Sequence, residues 1–218
     1  MIKPVILFDL DGTLIDSTEA ILEGFKIAFE TFSTRVPSNE AIEKEIGHTL
    51  ENMFLTLGVE PNDIDNYVHT YKMHYRKISC QKTILLETAR EAVKEASKFA
   101  TLGIVTTKTG EYSQILLEHM ELMDYFSVLI GREHVENPKP HPEPIFKALL
   151  KLEHDKHRTW MIGDTCMDID AAKNANIHSV AVTSGYAMPS TLDNCASYVC
   201  ENVLQAVEHI KKSDKNYK

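Results

Sequence analysis

Positive charge is scarce in this chain: 23 Lys and Arg stand against 32 Asp and Glu, a formal net charge of −9 over 218 residues. Nonspecific binding to nucleic acid or an anionic membrane needs a basic face, and this composition does not provide one. Cysteine is sparse too. Cys80, Cys166, Cys195 and Cys200 include no CxxC half-site, and a chain of this size does not need disulfide staples, so reduced thiols are expected. Long apolar runs are missing. Val5-Ile6-Leu7-Phe8 stops at Asp9, short of a signal-peptide core of roughly 7–15 residues, and no later run approaches the ~18 of a membrane span. A soluble, cytoplasmic protein is expected. The ten histidines form no strong metal-spaced pair, and neither G-x-x-x-x-G-K-[ST] nor G-x-G-x-x-G occurs. Zinc, nucleoside-triphosphate and dinucleotide chemistry therefore have no motif behind them.

An apolar fraction of 43% is enough for a substantial core. Short β-branched or aromatic runs at Val5–Phe8, Leu102–Val105, Phe126–Ile130, Trp160–Ile162 and Ser179–Val182 read as strands buried on both faces. Helix-length amphipathic stretches, such as Tyr112–Met120 and Glu143–Leu152, separate the later ones. The pattern predicts an α/β fold, a Rossmann-like parallel sheet flanked by helices. From about Asp16 to Lys82 the pattern is only helical. Ile21, Leu22, Phe25, Phe29 and Phe32 open it, with Ser17 as the expected N-cap, and Asn39–Ile46, Leu50–Leu57 and Asp63–Ile78 follow. The expected division is a catalytic core of residues 1–15 and 83–218 with an inserted helical domain, 16–82. Ligands sit at the carboxyl ends of parallel strands, so an insert directly after the first strand is placed to act as a lid. The polar tail Lys211–Lys218 is expected to fray.

The most informative string is Phe8-Asp9-Leu10-Asp11-Gly12-Thr13-Leu14-Ile15-Asp16-Ser17. A strand ends in carboxylates at i and i+2, which alternation directs the same way. Two such acids repel unless a cation or shared proton compensates, an arrangement suited to a nucleophile beside a general acid/base with a metal. A D-x-D alone reads equally as a polar turn; the longer string favours chemistry. A second cluster, Gly163-Asp164-Thr165-Cys166-Met167-Asp168-Ile169-Asp170, opens a helix after another strand. Asp164 and Asp168 offer the hard oxygens that Mg2+ takes, while N-capping is the plainer use of Asp168. Thr106 and Thr107 follow the Ile104-Val105 strand, where hydroxyls and backbone N–H groups can hold phosphate, although threonines there are common. Lys139 lies between Pro138 and Pro140, which restrict its backbone; it suits neutralising a phosphoryl group or, equally, a rigid surface loop.

In order, Asp9/Asp11, Thr106, Lys139 and Asp164/Asp168 resemble the four motifs of the haloacid dehalogenase-like hydrolase superfamily, over almost the whole chain. Within it the sequence is similar to the phosphoglycolate phosphatase-like branch with a helical cap. The resemblance implies a Mg2+-dependent phosphatase acting on a small phosphorylated metabolite, as a monomer or homodimer. It implies Asp9 as nucleophile and metal ligand, forming an aspartyl-phosphate. Asp11 would be the acid/base, its backbone carbonyl also on the metal. Thr106, Thr107 and Lys139 would hold the phosphoryl oxygens, and Asp164 and Asp168 the Mg2+. Gly47, His48 and Arg76 are cap candidates for substrate selection, a solvated helix cation being an equal reading of Arg76. An aspartate at position 11 disfavours dehalogenase chemistry. Motif two departs from the family in reading Thr106-Thr107-Lys108, where an asparagine commonly stands in the middle, and Lys82–Glu91 lacks the usual Pro-Gly turn. Phosphoglycolate leads among substrates. A nucleotidase, pyrophosphatase, sugar-phosphate phosphatase or phosphosugar mutase is the alternative within the type. A phosphoacceptor signalling module is the alternative outside it, opposed by the Gly12-Thr13 turn and the helical insert.

Overall fold

A computed structural model describes residues 2–214. In chain order the elements are β1 Val5–Phe8, β2 Ile15–Asp16, α1 Thr18–Thr31, α2 Asn39–Glu43, α3 Leu50–Thr56, α4 Ile64–Ile78 and β3 Ile84–Leu85. They continue with α5 Ala89–Ser97, β4 Thr101–Val105, α6 Gly110–His119, β5 Phe126–Ile130, α7 Glu143–Leu149, β6 Thr159–Gly163 and α8 Cys166–Asn174. β7 His178–Val182, α9 Pro189–Cys195, β8 Val199–Cys200 and α10 Val203–Asp214 complete the described chain. Two compact units result, one taking the chain to Asp16 and from Leu85 onward, the other Ser17–Ile84.

The first unit is an α/β sandwich around a six-stranded parallel sheet, ordered β5-β4-β1-β6-β7-β8. All four β1 residues are fully buried, as a central strand covered by helices on both faces requires. The chain builds outward from β1 to β4 and β5, then returns to β6 on the other side. The strand order therefore reverses between β1 and β6, and loops leaving their carboxyl ends diverge around a crevice. Asp9 leaves β1 and Asp164 leaves β6, so the two acidic motifs meet at that point.

The Ser17–Ile84 unit packs α1 against α4 around aromatic rings. Phe25 lies 4.5 Å from Phe54 and 5.2 Å from Tyr71, and Phe29 5.3 Å from Tyr67, between ring centroids. Gly24 admits the Tyr71 ring, since a Cβ there would come within 2.6 Å of it. Glu23 receives His74 and Lys82, each at 2.7 Å.

Three local expectations are corrected. Ser17 stands at the N-cap of α1 but makes no side-chain capping bond; its backbone is not extended, with ψ 16°, so the hydroxyl is not aimed at the first turn. Phe32 falls beyond α1 and is 39% exposed, stacked on Tyr67 rather than enclosed. The tail is ordered to Asp214, because Asp214 forms a two-pronged ion pair at 2.7 and 2.9 Å with Arg158, the residue before β6. Residues 215–218 lie outside the described chain.

Candidate active site

Asp9, the residue after β1, is buried and anchored by its N–H to the Ile162 carbonyl of β6 at 2.9 Å. Its Oδ1 lies 2.8 Å from the Lys139 ammonium, yet the approach lacks hydrogen-bond directionality, leaving a lone pair unused. Lys139, itself buried, donates to the Val105 carbonyl at 3.1 Å and to Asp168 Oδ1 at 2.5 Å. A loop expected to be either catalytic or superficial thus sends its lysine into the end of the sheet.

Asp164 is fully buried at the end of β6. Its Oδ1 accepts from Thr13 Oγ1 at 3.2 Å and its Oδ2 from the Tyr186 N–H at 2.9 Å. Gly12 makes this approach possible: it has φ +79°, and a Cβ there would sit 2.3 Å from Asp164 Oδ2. Gly185 borders the same oxygen, with a hypothetical Cβ at 2.1 Å. Asp168 closes a capping box: its Oδ2 takes the Thr165 N–H and hydroxyl at 3.1 and 2.8 Å. Both Asp168 oxygens are therefore engaged, one by Lys139 and one by the helix start. Asp168 therefore caps the start of α8 and also pairs with Lys139.

Oxygens of Asp9, Asp164 and Asp168 lie within 4.8 Å of one another. Three buried carboxylates face one buried lysine. Burial, countered by Lys139 and reinforced by Asp168, raises Asp9 from 3.8 to about 7. Burial also raises Asp164 well above the usual carboxylate range, with Asp168 and Asp9 adding to the effect. Lys139 is pulled down by burial, but Asp168 and Asp9 outweigh it and hold the ammonium protonated. The surplus negative charge, the hard oxygen donors and the open lone pair on Asp9 fit a divalent cation.

On the neighbouring strand, Thr106 is buried at the end of β4 and its hydroxyl accepts the Lys108 N–H at 3.2 Å. The Thr106 N–H is spent on the Ile130 carbonyl of β5, so the hydroxyl and not this backbone donor is left for a phosphate oxygen. Thr107 is half-buried beside it. Asp11 is held by Lys108, whose ammonium reaches Oδ1 at 3.1 Å and Oδ2 at 3.0 Å. In the Ser17–Ile84 unit, Gly47 has φ +108°, His48 is exposed, and Arg76 is exposed in the last turn of α4.

Three features were not read from the sequence. The Ser184-Gly185-Tyr186 turn supplies an N–H to Asp164, and Ser184 Oγ donates to the Gly12 carbonyl at 3.1 Å. A Ser-Gly pair following a strand on the same side of the sheet was the available signal. The motif-two string contains Lys108 but carries no local signal of its pairing with Asp11. Third, Cys166 and Cys195 form a disulfide, with Cα atoms 5.8 Å apart, correcting the expectation of four reduced thiols. They are 29 residues apart and meet only because α8 and α9 pack together. Cys80 and Cys200 are free.

An acid pair after the first of six parallel strands, a threonine after the next, and a lysine and acidic cluster facing them define a phosphoryl-transfer hydrolase of the haloacid dehalogenase type. The family model for haloacid dehalogenase-like hydrolases matches residues 6–182, and the chain belongs to that family. It is similar to pyrophosphatase PpaX of Halalkalibacterium halodurans, 37% identical over 185 residues and 84% of each chain. It is also similar to a protein of Dickeya dadantii named "probable phosphatase IndB", 32% identical over 84% of this chain and 82% of that one. A solved haloacid dehalogenase-like family hydrolase from Streptococcus pneumoniae superposes with a TM-score of 0.85 at 27% identity, over 95% of this chain and 98% of that one.

Proposed function

We propose that this protein is a Mg2+-dependent phosphatase that passes the phosphoryl group of a small metabolite to Asp9 and then to water. The observation that carries the reading is the buried Asp9 carboxylate, with an unused lone pair, beside Lys139 and Asp164. Asp9 attacks phosphorus as the bond to the leaving oxygen breaks, and Asp11 gives that oxygen a proton. Water then attacks the aspartyl-phosphate, Asp11 takes its proton, and inorganic phosphate leaves with the Asp9 carboxylate restored. Lys139 and the Thr106 hydroxyl, with Thr107 beside them, bind the phosphoryl oxygens. Their fixed positions matter because phosphoryl transfer asks mainly for alignment and charge neutralisation.

Asp9, Asp164, Asp168 and the Asp11 carbonyl would hold Mg2+, which supplies positive charge at the transferring oxygens. Asp168 also fixes Lys139 through one oxygen and the start of α8 through the other. The Ser17–Ile84 unit acts as the cap that selects the substrate, with Gly47, His48 and Arg76 as its candidates. Phosphoglycolate led on sequence; the relative named a pyrophosphatase at 37% identity brings inorganic pyrophosphate ahead of it. A small phosphorylated substrate favours a cytoplasmic location, where reductants would open the Cys166–Cys195 bond. Among the described residues no helix is long and apolar enough to cross a membrane.

The test is phosphate release, with and without Mg2+, from pyrophosphate, phosphoglycolate, sugar phosphates and nucleotides. Mg2+-dependent release from one or a few of them is expected. Folded protein that releases none would overturn the reading.

A further inference from the structure

Cys166 is the first residue of α8, two positions after Asp164 and two before Asp168. Its disulfide partner, Cys195, ends α9. The chain reaches α9 from the Ser184-Gly185-Tyr186 turn, where the Tyr186 N–H donates to Asp164 Oδ2 at 2.9 Å and the Gly185 backbone lies against the same oxygen. The bond therefore ties the segment that carries Asp164 to the segment that orients it. Both cysteines are partly exposed, so a thiol reagent can reach the bond. Little else fastens α9. Of its seven residues only Leu192 is buried, packed with Ile169 and Ala181. One buried leucine is a small gain against the conformational entropy of ordering a helix of that length.

We infer that Cys166–Cys195 is a thiol–disulfide exchange site through which a dithiol sets the affinity of Asp9, Asp164 and Asp168 for Mg2+. The inference rests on the Mg2+-dependent phosphatase reading and adds regulation of the same site. A thiolate of the dithiol attacks one sulfur, and the other cysteine leaves as a thiolate that takes up a proton. The reagent's second thiol, losing its proton, attacks the mixed disulfide, closes the reagent's own disulfide and releases the second cysteine. Two electrons and two protons pass to the protein. With the bond open, α9 frays and draws the Tyr186 N–H from Asp164. A carboxylate that loses such an orienting donor holds a metal about 10- to 100-fold less tightly. By linkage, Mg2+ favours the closed bond by the same factor.

The experiment titrates Mg2+ by calorimetry into oxidised wild type, wild type reduced with dithiothreitol, and Cys195→Ser. Reduction should weaken binding by about tenfold or more. Cys195→Ser should match the reduced protein and be indifferent to dithiothreitol. Cys80 and Cys200 are free thiols in both states of wild type and cancel from the comparison. A second measurement needs no variant. Wild type is equilibrated with mixtures of oxidised and reduced dithiothreitol, trapped by alkylation and counted by mass. Saturating Mg2+ should shift the midpoint ratio about tenfold or more toward the disulfide.

Equal Mg2+ affinity in the oxidised and reduced proteins, with an exchange midpoint indifferent to Mg2+, would overturn the inference and leave the phosphatase reading intact. Tighter binding by the reduced protein would overturn it as well. A folded, oxidised wild type that binds no Mg2+ would overturn the Mg2+-dependent reading itself. Should Cys195→Ser fail to fold, the exchange midpoint of wild type decides.

Discussion

Lys139 and Asp168 form a buried ion pair, Nζ to Oδ1 at 2.5 Å, that ties the loop after β5 to the first turn of α8. Neither side chain is more than 2% exposed, so neither charge has water to fall back on. Removing one partner strands the other. Lys139→Met should destabilise the metal-free protein by about 3–5 kcal/mol, read from urea midpoints. Because three carboxylates would then face one another without a counter-charge, Mg2+ should raise the stability of this variant more than that of wild type. A variant as stable as wild type without metal would contradict the buried pair.

Asp164 has no room to move. Gly185→Ala would place a methyl 2.1 Å from its Oδ2 and force the carboxylate from its place beside Gly12. Displacement of a ligand's support commonly costs metal affinity by about 10- to 100-fold, and a loss of that size is expected in a Mg2+ titration followed by calorimetry. Unchanged affinity would show that Asp164 does not hold the ion.

The pH dependence of stability has a definite sign. Asp9 titrates near 3.8 in an open chain and at about 7 in the fold, so between those values the folded state holds more protons. Stability contributed by that proton is present at low pH and is lost as pH rises toward 7. Asp164, raised by the same burial, acts in the same direction. Without metal, the Tm should fall between about pH 5 and 7. Mg2+ should flatten that fall by favouring the carboxylates, and Asp9→Asn should make it shallower. A metal-free Tm that climbs across this interval in wild type and variant alike would refute the assignment.

The disulfide makes a separate prediction. Closing a loop of 29 residues restricts the unfolded chain by about 3–4 kcal/mol. For a chain of this size that corresponds to a Tm drop of roughly 6–15 °C when the bond is absent. Dithiothreitol on wild type and Cys195→Ser without it should give the same lowered Tm. Identical melting of oxidised and reduced wild type would show that the bond is not formed.

The parts legible in the sequence are those whose physics is local. Val5–Phe8 and Phe126–Ile130 are uninterrupted apolar runs with polar stops, and they are strands with those bounds. Asp9, Thr106, Lys139 and Asp164 each follow or face a strand end, so their convergence follows once the sheet is parallel. Two-residue strands such as Val199–Cys200 carry no periodicity to detect. The Lys108–Asp11 fork and the Cys166–Cys195 bond depend on how strands and helices far apart in the chain come together. Ser17 shows the limit of a local rule, being the right residue at the right position with the wrong backbone angle.

The central claim concerns where the phosphoryl group rests. The direct measurement is mass analysis of peptides from protein mixed with Mg2+ and pyrophosphate and quenched in acid within the first turnover. Asp11→Asn should be run alongside to slow hydrolysis of the intermediate. The account predicts one phosphoryl mass on the peptide containing Asp9, greater in Asp11→Asn and absent from Asp9→Asn. Phosphate release with no labelled peptide, or with the label on another residue, would contradict it.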